Sequence, residues 1–198
     1  MYLLNMDVFY IISSYLFGSL CSAIIVSKSF NLSDPRTSGS QNPGATNVWR
    51  ISGQKYAIFV LLCDISKGFL PVFMGKLLGI HAIIVGFIGM FAVIGHIYPI
   101  FFSFKGGKGV ATFLGMLLAL NYILGLYSVL VLLLLLMYSK YMSLSAILTL
   151  VFVCSYVMIY LHDTVLFLQL FCLSVLIIYK HKDNIIRLLN KTESKVKF

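Results

Sequence analysis

Val110 to Tyr138 reads VATFLGMLLALNYILGLYSVLVLLLLLMY, and whether it forms one helix or two decides the fold. A bilayer-spanning helix needs about 20 apolar residues. One long tilted helix is compatible with this run, and so are two short ones that turn near Asn121. The first reading gives the whole chain six crossings and the second gives seven. Charge separates them. Basic residues gather at Lys28, Arg36, Arg50 and Lys55, at Lys105 and Lys108, at Lys140, and in a tail with Lys180, Lys182, Arg187, Lys191, Lys195 and Lys197. With a turn near Asn121 all these clusters face one side, which the positive-inside rule makes the cytoplasm; Lys76 is the exception, near an outer end. Without the turn, Lys140 and the tail oppose the rest. The expected fold is therefore all-α, a polytopic membrane protein with seven transmembrane helices, its N-terminus outside and its C-terminus cytoplasmic. The expected spans lie near Met6 to Ser27, Tyr56 to Leu78, Ala82 to Phe104, Val110 to Asn121, Tyr122 to Tyr138, Leu144 to Leu161 and Thr164 to Tyr179.

Composition agrees. Hydrophobic residues make up 60% of the chain and charged residues 11%, which excludes an ordinary soluble domain. Residues 1–198 read as a single integral-membrane domain. Cys21, Cys63, Cys154 and Cys172 lie in apolar stretches without metal-ligand spacing, so no metal site and no disulfide is expected. Asp7 is the only charged side chain before or within the start of the first apolar run, which argues against a cleaved signal peptide with a basic leader. The formal net charge of +9 is accounted for by orientation and anionic lipid headgroups. Nothing resembles a base-reading module, and no nucleic-acid partner is expected.

The polar islands carry the chemistry. The largest, DPRTSGSQNPGATNVWR, runs from Asp34 to Arg50. Gly39 and Gly44 permit turns that expose backbone N–H groups, and Ser38, Ser40, Asn42, Thr46 and Asn47 supply short hydrogen-bonding side chains. Such a loop suits an anion, with Arg50 able to grip a phosphate bidentately. The plainer alternative is a solvated turn with Thr46 or Asn47 capping the next helix. A second island, SFKGGKGVAT, spans Ser103 to Thr112. Gly106, Gly107 and Gly109 let the backbone approach a ligand, Lys108 adds an ammonium, and the helix that follows points its N-terminal amides back at the loop. The spacing does not match the nucleotide loop G-x-x-x-x-G-K-[ST], so ATP or GTP hydrolysis is not expected. Topological anchoring by Lys105 and Lys108 is the alternative, although anchors need no glycines.

Asp64 and Lys67 fall on one face of a helix, where they can pair. Intramembrane charges of this kind face the bundle interior, in a structural or a functional role. His96 precedes Pro99, which ends or bends its helix. His181, Asn184 and Arg187 recur at intervals of three, on one face of a helix leaving the membrane; the alternative is an interfacial basic helix. Together the islands point to a phosphate-bearing amphiphile at the cytoplasmic boundary, its acyl chain running between helices.

At these residues the chain resembles the bacterial acyl-phosphate-dependent glycerol-3-phosphate acyltransferases. The resemblance rests on Gly18-Ser19, SGSQNPGATNVWR at Ser38 to Arg50, DISKG at Asp64 to Gly68, GHIYPIFFSFKGGKGVAT at Gly95 to Thr112, and HKDNIIRL at His181 to Leu188. Cys21 stands where that family tends to have proline, Lys180 where it has arginine and Lys191 where it has glycine. The resemblance implies a seven-helix enzyme of the bacterial inner membrane that moves an acyl group from acyl phosphate to the 1-hydroxyl of glycerol 3-phosphate. Its active site would face the cytoplasm, and the products would be lysophosphatidic acid and phosphate. No cofactor is implied; the partners are the two substrates and membrane lipid. Ser143 resembles a further site position.

Other glycerolipid acyltransferases often place Asp five residues after a catalytic His. Here His81, His96, His162 and His181 are followed at that spacing by Gly86, Phe101, Phe167 and Ile186. Acyl phosphate makes that dyad dispensable, because its leaving group departs as a stable anion and the enzyme needs positioning and charge stabilisation above all. On this reading Lys108 holds one phosphate, Ser40, Thr46 and Arg50 hold another, and His181 and Asn184 orient the attacking hydroxyl. The rival class is a transporter or channel for a phosphorylated metabolite. Its polar residues would be expected at the midplane and with an internal repeat, whereas these read as gathered at one face.

Overall fold

The computed structural model describes residues 2–196, with side chains from Met6 onward; it holds ten α-helices, a 3-10 turn and a π-helical turn, and no strand among the described residues. The chain forms two compact units, Met1–Leu120 and Asn121–Phe198.

In the first unit, α1 (Tyr2–Gly18) and α2 (Ser22–Ser29) are two pieces of the expected first span, bent by 44°. The short α3 (Ala45–Ser52) leads into α4 (Gln54–Leu77), then α5 (Ala82–Ile97) and α6 (Val110–Leu120). At ~1.5 Å per residue α4 is about 36 Å long, enough to cross a hydrocarbon core of about 30 Å; α5 is about 24 Å and α6 about 16 Å. Pro99 ends α5 as expected: it lacks an N–H and pushes Tyr98 out of the helical region, to φ −125° and ψ 69°. A 3-10 turn at Ile100–Phe102 follows.

Backbone-to-backbone packing fixes these helices. A Cβ on Gly18 would overlap the carbonyl of Ala92, and one on Gly95 the carbonyl of Tyr15, so α1 and α5 touch directly. Gly68 meets Thr112 and Gly115 meets Ile65 in the same way, clamping α6 to α4. Small residues serve here because lipid tails are as apolar as leucine, leaving close van der Waals contact to hold helices together. These contacts also set the heights of the helix ends. α1 stops, α5 stops and α6 starts beside the middle of α4, near Asp64. That level lies ten residues beyond Gln54, about 15 Å along the helix. The three ends meet at the level of Asp64.

The second unit contains α7 (Tyr122–Ser139), α8 (Met142–Tyr156) with its π-helical continuation Val157–Leu161, α9 (Thr164–Lys180) and α10 (Lys182–Leu189). The break expected near Asn121 is real. Asn121 is extended, and its Oδ1 accepts a bond from Leu124 N at 3.1 Å, which caps α7. Asp163 caps α9 in the same way through Leu166 N. Four helices are long and apolar enough to cross a membrane, and the two bent pairs, α1 with α2 and α9 with α10, raise the number to six. The remaining expected crossing, α6, is a half-length helix.

Beyond α10 the tail turns back. Lys191 takes a left-handed conformation, φ 57°, Val196 N donates to Lys140 O at 2.8 Å, and Lys195 Nζ lies 5.6 Å over the Tyr141 ring.

Candidate active site

Buried polar side chains gather where these helix ends meet. Asp64, Lys67 and His96 are 2%, 4% and 6% exposed. Asp64 Oδ1 lies 2.8 Å from Lys67 Nζ and 3.5 Å from His96 Nδ1, and it accepts a hydrogen bond from Ser22 Oγ at 2.8 Å. The pair expected from sequence is therefore one edge of a larger knot tying α2, α4 and α5. Removing one partner of such a pair would leave an uncompensated buried charge, at a cost of about 3–5 kcal/mol.

The glycine stretch packs against the end of α5 beside this knot. Gly107 N donates to His96 O at 3.1 Å and Gly106 N to Ile97 O at 3.3 Å, so the loop caps the C-terminal end of α5. Added Cβ atoms show why these positions are glycine. On Gly106 a Cβ would overlap the His96 carbonyl, on Gly107 the His96 Nε2, and on Gly109, at φ +86°, it would stand 2.9 Å from Val93 Cγ1. The sequence suggested that the glycines make room for a ligand; the surface they approach is α5. Two of the amides expected to face an anion are already used on α5 carbonyls. Lys105 is exposed and Lys108 half-buried at the foot of α6, where the first turn of any helix carries N–H groups without intrahelical partners.

The larger island is equally preformed. Arg36 is occupied by Asp34, with Nη2 to Oδ2 at 2.7 Å. The hydrogen bond from that guanidinium holds the Asp34 carboxyl below its ordinary value. Asn47, 1% exposed, accepts from Ser40 N at 2.8 Å and donates to the carbonyls of Pro35 and Ser38, each at 2.9 Å. It pins the loop from behind, and Gly39, at φ +64°, is glycine because a Cβ would overlap the Asn47 amide oxygen. Neither Thr46 nor Asn47 caps α3, whose N-cap is Gly44 without a side-chain bond; Asn42 packs beside Gly44. Val48 joins a cluster with Ala23, Val26, Ala57 and Val60 that seats α3 on α2 and α4. Ser40 and Arg50 are exposed, and Ser38 and Thr46 are half-buried.

In the second unit His181 and Asn184 are buried, and Ser143 lies in the first turn of α8. His181 Nδ1 is 2.8 Å from Ile177 O. A residue that sequence reasoning missed brings the others together. Glu193 Oε1 accepts from Ser143 Oγ at 2.7 Å and Asn184 Nδ2 at 2.6 Å, while Oε2 accepts from Arg187 Nε at 2.7 Å. Burial works to raise the Glu193 carboxyl, but the bonds from Asn184, Ser143 and Arg187 outweigh it and hold the group below the usual carboxylate range. The signal was a lone acid between Lys191 and Lys195.

A family model described as Glycerol-3-phosphate acyltransferase matches residues 8–191. The chain belongs to this family. A glycerol-3-phosphate acyltransferase of Legionella pneumophila (strain Corby) is 44% identical over 191 residues, covering 96% of this chain and 69% of the relative. One of Colwellia psychrerythraea (strain 34H) is 48% identical over 190 residues, covering 94% of each. Among solved structures, PlsY (YgiH), an integral membrane glycerol 3-phosphate acyltransferase in its glycerol 3-phosphate form, superposes with a TM-score of 0.92 at 37% identity, over 97% of this chain and 96% of that one. The lysophosphatidic acid form of PlsY gives 0.89 at 36% identity, with the same coverage. Family and fold thus agree on an all-helical integral membrane protein.

Proposed function

We propose that this protein transfers a fatty acyl group from acyl phosphate to the 1-hydroxyl of glycerol 3-phosphate, the first acylation of phospholipid synthesis. The observation that carries the reading is the Lys108 loop, held rigidly on α5 at the start of α6, which sets a fixed positive centre among apolar helices. PlsY, similar over nearly the whole chain, was solved with glycerol 3-phosphate and with lysophosphatidic acid.

The hydroxyl oxygen attacks the acyl carbonyl carbon, the bond from that carbon to the phosphate oxygen breaks, and phosphate leaves as an anion. The hydroxyl proton goes to a substrate phosphate oxygen. Lys108 and the first turn of α6 hold one phosphate; Ser40, Thr46 and Arg50 hold another; His181 and Asn184 orient the hydroxyl, with Ser143 beside Asn184. Gly39, Asn47, Gly106 and Gly107 act from behind the loops, while Ser38, Asn42, Gly44 and Gly109 shape them. Preorganised charge of this kind needs no reorganisation at the moment of reaction. The chain works as one domain with seven crossings in the bacterial inner membrane, N-terminus outside, C-terminus and site cytoplasmic.

Purified protein in micelles, where vectorial flux cannot occur, is given palmitoyl phosphate and radiolabelled glycerol 3-phosphate. Label is expected in a lipid fraction. No labelled lipid, with saturable uptake of glycerol 3-phosphate into proteoliposomes, would overturn the enzyme in favour of a transporter.

A further inference from the structure

The knot around Asp64 has no part in the chemistry just described, yet it touches the loop that carries Lys108. The imidazole of His96 is held on two sides. Its Nδ1 edge faces Asp64 Oδ1 at 3.5 Å, and its Nε2 edge faces Gly107 so closely that a Cβ there would overlap it. The backbone of His96 is used as well, its carbonyl accepting from Gly107 N. Asp64 pairs with Lys67 at 2.8 Å on its own helix, and His96 meets the same carboxylate oxygen from α5. The glycine loop gives the far edge of the ring something to bear on.

Both sides of Lys108 are thus referenced to one helix. On one side Gly107 rests on His96, which Asp64 of α4 holds. On the other, α6 is clamped to α4 where Gly68 meets Thr112. We infer that His96, braced by Asp64, is a positioning residue: its ring is the seat that sets where Lys108 and the first turn of α6 stand relative to the phosphate they bind. This inference rests on the proposed role of Lys108, and it adds a mechanical link from Asp64 to His96 to Gly107 to Lys108.

A double-mutant cycle tests the seat. In Gly107→Ala the new methyl collides only with the His96 ring; the three nearest atoms are all imidazole atoms. Displacing the loop by about 1 Å costs on the order of 10²-fold in turnover. Shortening the ring in His96→Ala removes the obstacle along with the seat, with an expected loss of about 10-fold. The double variant is then expected to match His96→Ala within about 3-fold, far above the product of the two losses. Gly106→Ala is the control, because its methyl meets the His96 carbonyl, which every His96 variant retains, and its loss should multiply. His96→Asn, which keeps a polar group near Asp64 but withdraws the far ring edge, gives the cycle a second arm should His96→Ala fold poorly.

Turnover is split into kcat and KM for glycerol 3-phosphate, and Tm in micelles is followed for each variant. Positioning predicts rescue in kcat/KM that exceeds any rescue in Tm. Multiplicative losses, rescue seen equally in Tm, or full activity of Gly107→Ala would overturn the inference. If the wild-type protein makes no lipid from palmitoyl phosphate, the proposed reaction fails by itself. The cycle is then read from the rise in Tm that glycerol 3-phosphate produces, where the same rescue supports the seat and its absence removes it.

Discussion

Replacing Glu193 by alanine should release the tail without unfolding the helices. Its carboxylate takes three bonds, two from the buried Ser143 and Asn184 and one from Arg187. Hydrogen bonds to a charged group are worth about 1.5–3 kcal/mol each when buried. The Arg187 side chain is 41% exposed, and solvent screening reduces its share to about 0–1 kcal/mol. Against these stands the cost of desolvating the carboxylate, which leaves a net anchor of about 3 kcal/mol. Local opening of the tail would then become on the order of 10²-fold more frequent. Trypsin cleavage after Lys191 and Lys195, timed by mass spectrometry in micelles, reports that opening directly when reclosing is fast. A change of less than about 3-fold would refute the anchoring reasoning. Acid should imitate the variant. The folded-state value of Glu193 lies below its ordinary 4.5, so the stabilisation is complete above about pH 4.5 and is lost as pH falls through the lower folded value. Tail protection should be flat between about pH 7 and pH 5 and decline only in stronger acid.

Alanine at Lys108 or Arg50 should each lower kcat by roughly 10²- to 10³-fold, the usual loss of one preorganised donor, with Tm nearly unchanged; wild-type turnover in both would remove them from the chemistry. Asn47→Ala should free Ser38 to Ser40, lowering acyl transfer by about 10²-fold and stability by about 1–3 kcal/mol, measured by turnover and Tm; unchanged turnover would show that the loop holds its shape without the strut. Lys191→Gly should stabilise by about 1 kcal/mol, because an exposed lysine in the left-handed region carries a penalty that glycine escapes; a lower Tm would show that its side chain compensates.

What was legible in the sequence was local. Asn121 breaks the apolar run because its side chain caps the next helix, Pro99 ends α5 through its missing N–H, and Asp64 meets Lys67 because residues three apart share a helix face. The other features depend on what lies opposite a residue. Nothing near His96 in the chain announces Asp64, 32 positions earlier. Gly106 and Gly107 read as space for a ligand, since close approach to a ligand and close approach to another helix demand the same missing Cβ. Run length marks α6 as an apolar helix, but hydropathy does not record the height at which a helix begins. Asn47 was legible as polar, though its inward direction follows from how Val48 seats α3.

The knot at the foot of α5 makes one loop answer to three helices. Because Asp64, Ser22 and His96 come from α4, α2 and α5, a shift of any one of these helices would be felt at the glycine turn that rests on the His96 ring.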